Sequence, residues 1–345
     1  MAFGSTNNII GYLADALPNV LNPVALPIIA QANPTLHMMM GKPIQPQAID
    51  TDVPDSMPNK PGFGNLNTSF EGSQFEYRLL MQTDAPQFVG YINTNDSYAA
   101  TNWGYQPKRA VAKGNFAQIV LPYSFPTAML DQVAGDKKKC TRFLSEEAVA
   151  IAESFEQLLG SAIHGAGDQT DKSISGWQLA MGGAAGSYLG LDLTDPGNVK
   201  FTSPSVNVGA LSFSSFPSIL NTSIANKGRL SLAPCHLTDY NKICVAMEGK
   251  FTPTDNDDET WRAFRGTYKY YEGVRFVLDP YMPAAGTIPF MDTRYVDCYM
   301  RQMGFDMADM FPVQTALAAT GTFVRMYFGV IYSNPQTCVR AYNIS

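Results

Sequence analysis

The chain has 345 residues, 45% of them apolar, and a formal net charge of −6, so it is long enough to bury a large core in two or three lobes and is neither disordered nor fibrous. The acidic balance, with no basic run longer than residues 137–139, argues against a sequence-independent nucleic-acid binder, which needs a cationic face to displace phosphate counterions. Charged residues are only 16% of the chain, below the roughly one quarter usual for soluble domains, and such an exterior is expected to be covered largely by copies of the same chain.

Cys140, Cys235, Cys244, Cys298 and Cys338 are odd in number and widely spaced, which is no disulfide framework and fits free thiols in a reducing cytoplasm. The start of the chain shows no basic segment followed by an apolar run, and no stretch reaches about 18 apolar residues, so neither export nor a membrane span is indicated.

Residues 1–48 combine a possible short helix over 7–17 with Pro18, Pro23, Pro27, Pro34, Pro43 and Pro46, which predict an irregular segment. Its apolar residues, among them Ile9, Val24, Ile28, Ile29 and Met38 to Met40, need a neighbour to cover them. A polar, proline-rich connection follows at 50–64. Strand signals come at 74–82 and 116–121. Between them, residues 88–114 are rich in Asn, Gly, Thr and Tyr, an excursion without a core of its own.

The strongest pattern is a predicted helix over 145–164. Leu144, Ala148, Ile151, Ala152, Phe155, Leu158, Leu159, Ala162 and Ile163 form one apolar stripe, opposite Glu146, Glu147, Glu153, Glu156 and Gln157. Ser145 is placed to cap it, Leu144 to staple onto Val149, and Gly165 and Gly167 to end it. The rod would be roughly 28 Å long. A glycine-rich turn then carries Ser175-Gly176-Trp177. Beyond it come a helix over 216–226 stopped by Gly228, a strand over 229–234, and a helix capped by Thr238 whose face is Tyr240, Ile243, Cys244 and Met247. Residues 273–300 read as strand, turn and strand, and 322–332 as a strong final strand. No internal repeat is present.

Chemical motifs are weak. His37, His164 and His236 carry no signature partner, and His164 at a helix end reads as a dipole partner. Cys235, His236 and Cys244 lack a fourth zinc ligand. The acidic run at 254–259 fails the calcium-loop pattern, since Thr260 stands where Gly is needed and Gly266 where a bidentate Glu is needed; it reads as a solvated loop. The glycines near Gly165 lack the Lys-Ser or Lys-Thr of a phosphate loop, and Ser161, Ser175 and Ser187 sit in no nucleophile elbow. Trp177 and Trp261 read as packing anchors. No catalytic residue, metal ligand, cofactor or covalent cross-link is expected.

The long helix, its loop and the Gly-aromatic segment (GSAIHGAGDQTDKSISGWQ), with FEYRLLMQ at 75–82, KGNFAQIVLPYSF at 113–125 and GVRFVLDPYMPAAGTIPFMDTRYVDCYM at 273–300, resemble major capsid proteins of tailed bacteriophages with the Hong Kong 97 fold. The resemblance spans most of the chain in family order. It implies an α+β fold with an N-terminal arm (1–48), a P domain (49–72 and 113–219) built on a spine helix at 145–164, an extended hairpin loop (73–112), an A domain (220–319) and a C-terminal return to the P domain (320–345). The strands at 75–82 and 113–125 would be the outgoing and returning sides of that loop. By the same resemblance, copies would self-assemble into hexamers and pentamers of an icosahedral virion shell in the bacterial host cytoplasm. The shell would enclose double-stranded DNA without specific binding, with a scaffolding protein and a portal as assembly partners and no membrane. The absence of a long helical extension ahead of the arm implies a separate scaffold or a processed form. Contacts between subunits are expected at Tyr91, Tyr98, Trp103, Tyr105, Lys108 and Arg109 in the loop and at Ile28 and Ile29 in the arm, and the acidic helix face, Glu153 and Glu156 included, is expected to line the lumen. Two other readings remain: an encapsulin-like bacterial nanocompartment shell, and, in a different class, a β-rich extracellular hydrolase or binding module.

Overall fold

The proline-rich start of the chain is not wholly irregular. The computed structural model describes residues 21, 28–29, 33–40, 65–70, 74–82, 108–126, 137–167, 173–182, 186–195, 198, 201–248, 268–307, 311–312 and 319–345, and in it α1 spans Pro34–Met40 with every residue buried. Asn33 caps this helix, its side-chain Oδ1 accepting from the amides of Thr35 (2.9 Å) and Leu36 (3.0 Å), and Pro34 occupies the first turn, where a missing N–H costs nothing. The predicted helix over 7–17 and the connection at 50–64 lie outside the described residues.

Strands β1 (Asn65–Phe70), β2 (Gln74–Gln82), β3 (Lys108–Asn115) and β4 (Ala117–Pro126) come next. The predicted β2 has its expected bounds, but the returning side of the hairpin is β3, not 113–125. Gln74 pairs with Asn115 and Gln82 with Lys108, antiparallel. The sequence KRAVAKGN has little intrinsic strand preference, and its partner strand supplies the order. Chain 117–126 turns away after Phe116 and joins a different sheet.

The long helix α2 runs Lys137–Ala162, 26 residues, about 39 Å at 1.5 Å per residue. It begins eight residues before the predicted start. Ser145 is exposed inside it and caps nothing, and Leu144 staples no terminus. The three lysines that open it oppose the helix dipole. The helix persists because half-buried Phe143 and buried Leu144 extend its packed stripe, while Arg142 Nε bonds Glu146 Oε1 at 2.8 Å one turn on. Leu144, Ala148, Ile151, Phe155, Leu159 and Ile163 are all at most 2% exposed, each large one contributing about 1.5–3 kcal/mol by leaving water. Two stripe assignments reverse: Leu158 is 50% exposed and Glu156 only 6%. Glu156 therefore does not belong to an outward acidic face, whereas Glu153 does.

After α3 (Trp177–Ala180), β5 (Ser187–Tyr188), β6 (Leu191–Asp192) and β7 (Ser205–Gly209) come α4 (Ser215–Ala225), β8 (Leu232–Cys235) and α5 (Leu237–Ala246). The last strands are β9 (Tyr268–Tyr271), β10 (Val274–Leu278), β11 (Thr287–Phe290), β12 (Val296–Met307), β13 (Phe311–Pro312), β14 (Ala319–Tyr332) and β15 (Val339–Ile344).

These elements form two cores. The first joins α1, the inner face of α2 and a five-stranded sheet in which β1 lies parallel to β12, and β14 lies antiparallel to β12, β4 and β13. Val324, Met326, Phe328 and Val330 point inward from β14; Phe323 and, across on β4, Val120 point outward with 39% and 44% of their surface exposed, the alternation of a sheet packed on one face. The second core sets α4 and α5 with the sheets β8-β10-β9 and β11-β15-β7, where Phe216, Phe276 and Phe290 meet edge to face at 5.4 and 5.8 Å.

Three further expectations are corrected. The strand over 322–332 is not the last: β15 follows and enters the second core by pairing with β11 and β7, so 320–345 is divided between the cores. The cap of α5 is His236, whose Nδ1 accepts from the Thr238 amide at 3.3 Å. At the end of α4 the left-handed residue is Lys227 (φ 62); Gly228 is required because a Cβ there would stand 2.6 Å from the carbonyl oxygen of Thr337.

Candidate functional site

Two features stand apart from ordinary core packing. The first is the β2/β3 hairpin, which among the described residues is a two-stranded ladder on its own. Its root is held where the Lys113 amide donates to the Leu189 carbonyl at 2.9 Å and Ala112 joins the first core. An isolated two-stranded ladder is marginal in water without a cover.

The second is a buried polar junction where three distant segments meet. Asp279, 1% exposed, follows β10, and its Oδ2 faces His164 Nε2 at 3.0 Å just beyond the end of α2. Thr35 in α1 donates its hydroxyl to the same oxygen. Oδ1 accepts the Tyr281 amide at 2.8 Å, and the Tyr281 hydroxyl reaches back to Glu156 Oε2 on α2, also at 2.8 Å. The Trp177 indole N–H donates to His164 Nδ1 at 2.8 Å, which leaves Nδ1 as acceptor and places the imidazole proton on Nε2, toward Asp279.

Glycine makes the seat for this junction. A Cβ on Gly160 would lie 2.6 Å from the Tyr281 ring and 2.9 Å from the Asn33 amide nitrogen, so this glycine in the last turn of α2, costing at most about 1 kcal/mol in propensity, leaves room for the arm and the loop after β10. Gly176 is equally constrained. Trp177 N–H donates to the Ile163 carbonyl at 2.9 Å, and a Cβ on Gly176 would stand 2.8 Å from the carbonyl oxygens of Ala162 and Ile163 and closer still to that of Gly165. Because all three atoms are backbone, Gly176→Ala should cost about 1–3 kcal/mol, at the upper end of overpacking, and shift Trp177 fluorescence. An unchanged urea midpoint would refute this close approach.

Burial holds the Glu156 carboxyl above its ordinary value, reinforced by the charges of Asp279 and Glu153 and opposed by the Tyr281 hydroxyl. The native state then binds a proton more tightly than the unfolded chain, so this group costs stability as pH rises from the ordinary carboxyl value through the native one. Glu156→Gln keeps an acceptor for Tyr281 and removes the charge. Its melting temperature relative to wild type should rise between pH 4 and 7; a gap independent of pH would contradict the assignment.

An aspartate–histidine pair is two thirds of a hydrolytic triad, but both nitrogens of His164 are engaged and the ring is 1% exposed. No nitrogen faces a nucleophile. His164 is therefore a structural tie, beyond the dipole role expected of it. Cys235, Cys244, Cys298 and Cys338 are free thiols; burial pushes Cys338 up to about 12 and Cys235 well above its usual value, which makes these two poor nucleophiles. Among the described residues no three His, Cys, Asp or Glu side chains gather to hold a metal ion, and no helix is long and apolar enough to cross a membrane.

Of the residues expected at subunit contacts, Tyr91, Tyr98, Trp103 and Tyr105, like the acidic run at 254–259 and Trp261, lie outside the described residues. Lys108 and Arg109 open β3 opposite Gln82 and Leu80, at the far end of the hairpin from its root. Ile28 is half-buried, and Ile29 is fully buried in the first core of its own chain. Ile29 packs within its own subunit there, onto which this part of the arm folds. Sequence reasoning missed Asp279, Tyr281 and Thr35. The Asn33-Pro34 helix signature was a legible sign that the arm is ordered here, but nothing local marks residues 115 and 244 positions apart as partners.

No protein-family model matches the chain, and no curated protein matches it. Solved structures do. The capsid asymmetric unit of cyanophage A-1(L) superimposes with a TM-score of 0.58 at 12% identity, over 81% of this chain and 90% of that one. The capsid of a native GTA particle gives 0.54 at 12% identity, over 82% and 88%, and Microbacterium phage Oxtober96 gives 0.50 at 9%, over 81% and 88%. At these identities the likeness is one of fold, and the fold is that of phage capsid proteins.

Proposed function

We propose that the chain is a shell-forming subunit, the major capsid protein of a tailed bacteriophage of the Hong Kong 97 type, which self-assembles into hexamers and pentamers around double-stranded DNA. The observation that carries this reading is the β2/β3 ladder, which pairs with no other strand among the described residues in a chain whose fold is that of phage capsid proteins. An isolated ladder gains most by lying over a neighbour. In this reading residues 73–112 form the extended loop, 1–48 the arm, 49–72 and 113–219 the P domain, 220–319 the A domain at the capsomer axis, and 320–345 the return strands. A scaffolding protein and a portal would assist assembly in the host cytoplasm. The role is structural, with no reaction assigned.

Sedimentation of the expressed protein, followed by negative-stain microscopy of the fast fraction, tests the reading. Closed shells or capsomer rings support it. A 37.7 kDa monomer at all concentrations overturns it, and shells filled with a co-purified enzyme would replace it by a bacterial compartment.

A further inference from the structure

The second core carries a cavity of about 560 Å³ between the end of α4, the start of β8 and the turn joining β9 to β10. Its floor is apolar, with Leu220 and Leu230, and among the described residues its walls carry Arg229, Arg275 and Arg294 with one lining carboxylate, Glu272, while the buried Asp292 stands behind Arg294. The arginines are held in place. Arg294 grips buried Asp292 with two nitrogens, Nε to Oδ1 at 2.9 Å and Nη2 to Oδ2 at 2.6 Å, yet keeps 32% of its side chain exposed. The Arg229 amide donates to the same Asp292 at 2.8 Å, and Arg275 lies 5.7 Å over the Tyr270 ring. The turn that closes the rim is fixed by Glu272 and Gly273, both with positive φ (49 and 88), the two-residue geometry that suits a hairpin.

Guanidinium groups fit carboxylates, and the two that are ordered here, on Arg275 and Arg294, lose little freedom on binding them. In a chain with so few charges, the densest acidic segment is Asp255, Asp257, Asp258 and Glu259, within TDNDDE. It lies between α5 and β9, in the same half of the sequence as the cavity. Copies arranged head to tail in a ring present one patch of each subunit to a different patch of the next.

We propose that the arginine-lined cavity receives the acidic run 255–259 of a neighbouring copy, making a charge-paired contact around each ring of subunits. The inference rests on the shell-forming reading above. It differs from docking of the run into its own subunit's cavity in a way that mixing reveals. One variant carries Arg229→Glu and Arg275→Glu, a second carries Asp255→Lys, Asp257→Lys and Asp258→Lys, and circular dichroism checks that each is folded. Neither should form fast-sedimenting particles alone. Mixed in equal amounts, alternating copies restore opposite charges at every contact of a six-membered ring, so hexameric rings should return; a five-membered ring cannot alternate, and rings rather than closed shells are the readout. Assembly of either variant alone, or no rescue in the mixture, overturns the proposal.

Because Arg275 is half-buried, Arg229→Glu, which changes an exposed residue, provides a second reading. The synthetic peptide 252–261 should block assembly of the wild type and bind the Arg229→Glu protein at least about tenfold more weakly; equal binding to both overturns the contact. The wild type run in parallel separates the two claims. If it assembles while the variants behave otherwise than stated, only this contact fails, whereas if it stays monomeric the shell-forming reading fails and this inference with it.

Discussion

Asp279→Ala should be among the most damaging single substitutions in this chain, lowering stability by about 3 kcal/mol or more, because it strips three donors of their shared acceptor. The alanine leaves the Nε2–H of His164, the Thr35 hydroxyl and the Tyr281 amide without their acceptor. Each orphaned donor costs about 1–3 kcal/mol where it is cut off from water. The effect should also be local in kind. Thr35 is the polar tie of the arm helix to this junction, so limited proteolysis should cut near residues 33–40 sooner in the variant than the drop in global stability explains. Asp279→Asn, which retains one acceptor oxygen, should fall between the two. A urea midpoint for Asp279→Ala matching a loss below about 1 kcal/mol would mean that the junction does not hold the segments together.

The second large effect concerns assembly alone. Replacing residues 84–106 with a short Gly-Ser linker removes no described residue of the β2/β3 ladder, the Lys113–Leu189 tie or the two cores, so the subunit should melt within a few degrees of wild type. It should nonetheless form no shells, because the segment carrying Tyr91, Tyr98, Trp103 and Tyr105 is the proposed cover for the neighbour. Aromatic side chains of this kind dominate interface energies when they are buried centrally. Normal shells from this deletion would remove the extended loop from the mechanism, and a misfolded monomer would show that the loop serves its own subunit.

What the sequence disclosed follows the range over which each element is stabilised. The α2 stripe, the bounds of β2, the helix at 215–225 and the apolar strand 322–332 were legible because their residues alternate with the period of the structure they form. The start of α2 was not, because Ser145-Glu146-Glu147 is a good local cap signal, and packing of Phe143 and Leu144 overrides it. Strand β3 was hidden for the complementary reason: Lys108–Asn115 lacks a strand pattern and becomes a strand by pairing with β2. Of the candidate site, the Gly176-Trp177 step was visible as a motif, and its meaning, a backbone contact with the end of α2, was not. The junction at Asp279 joins α1, α2 and the loop after β10, and partners so far apart leave no periodic trace.

The arrangement of subunits is the central claim, and an electron cryo-microscopy reconstruction of the fast-sedimenting particles tests it most directly. The account predicts a closed shell in which each hairpin leaves its own subunit at Lys113 and its tip, residues 83–107, lies against an adjacent copy, with the 255–259 run of one subunit at the arginine cavity of the next. Particles in which the hairpin packs back on its own subunit and touches no neighbour would contradict it.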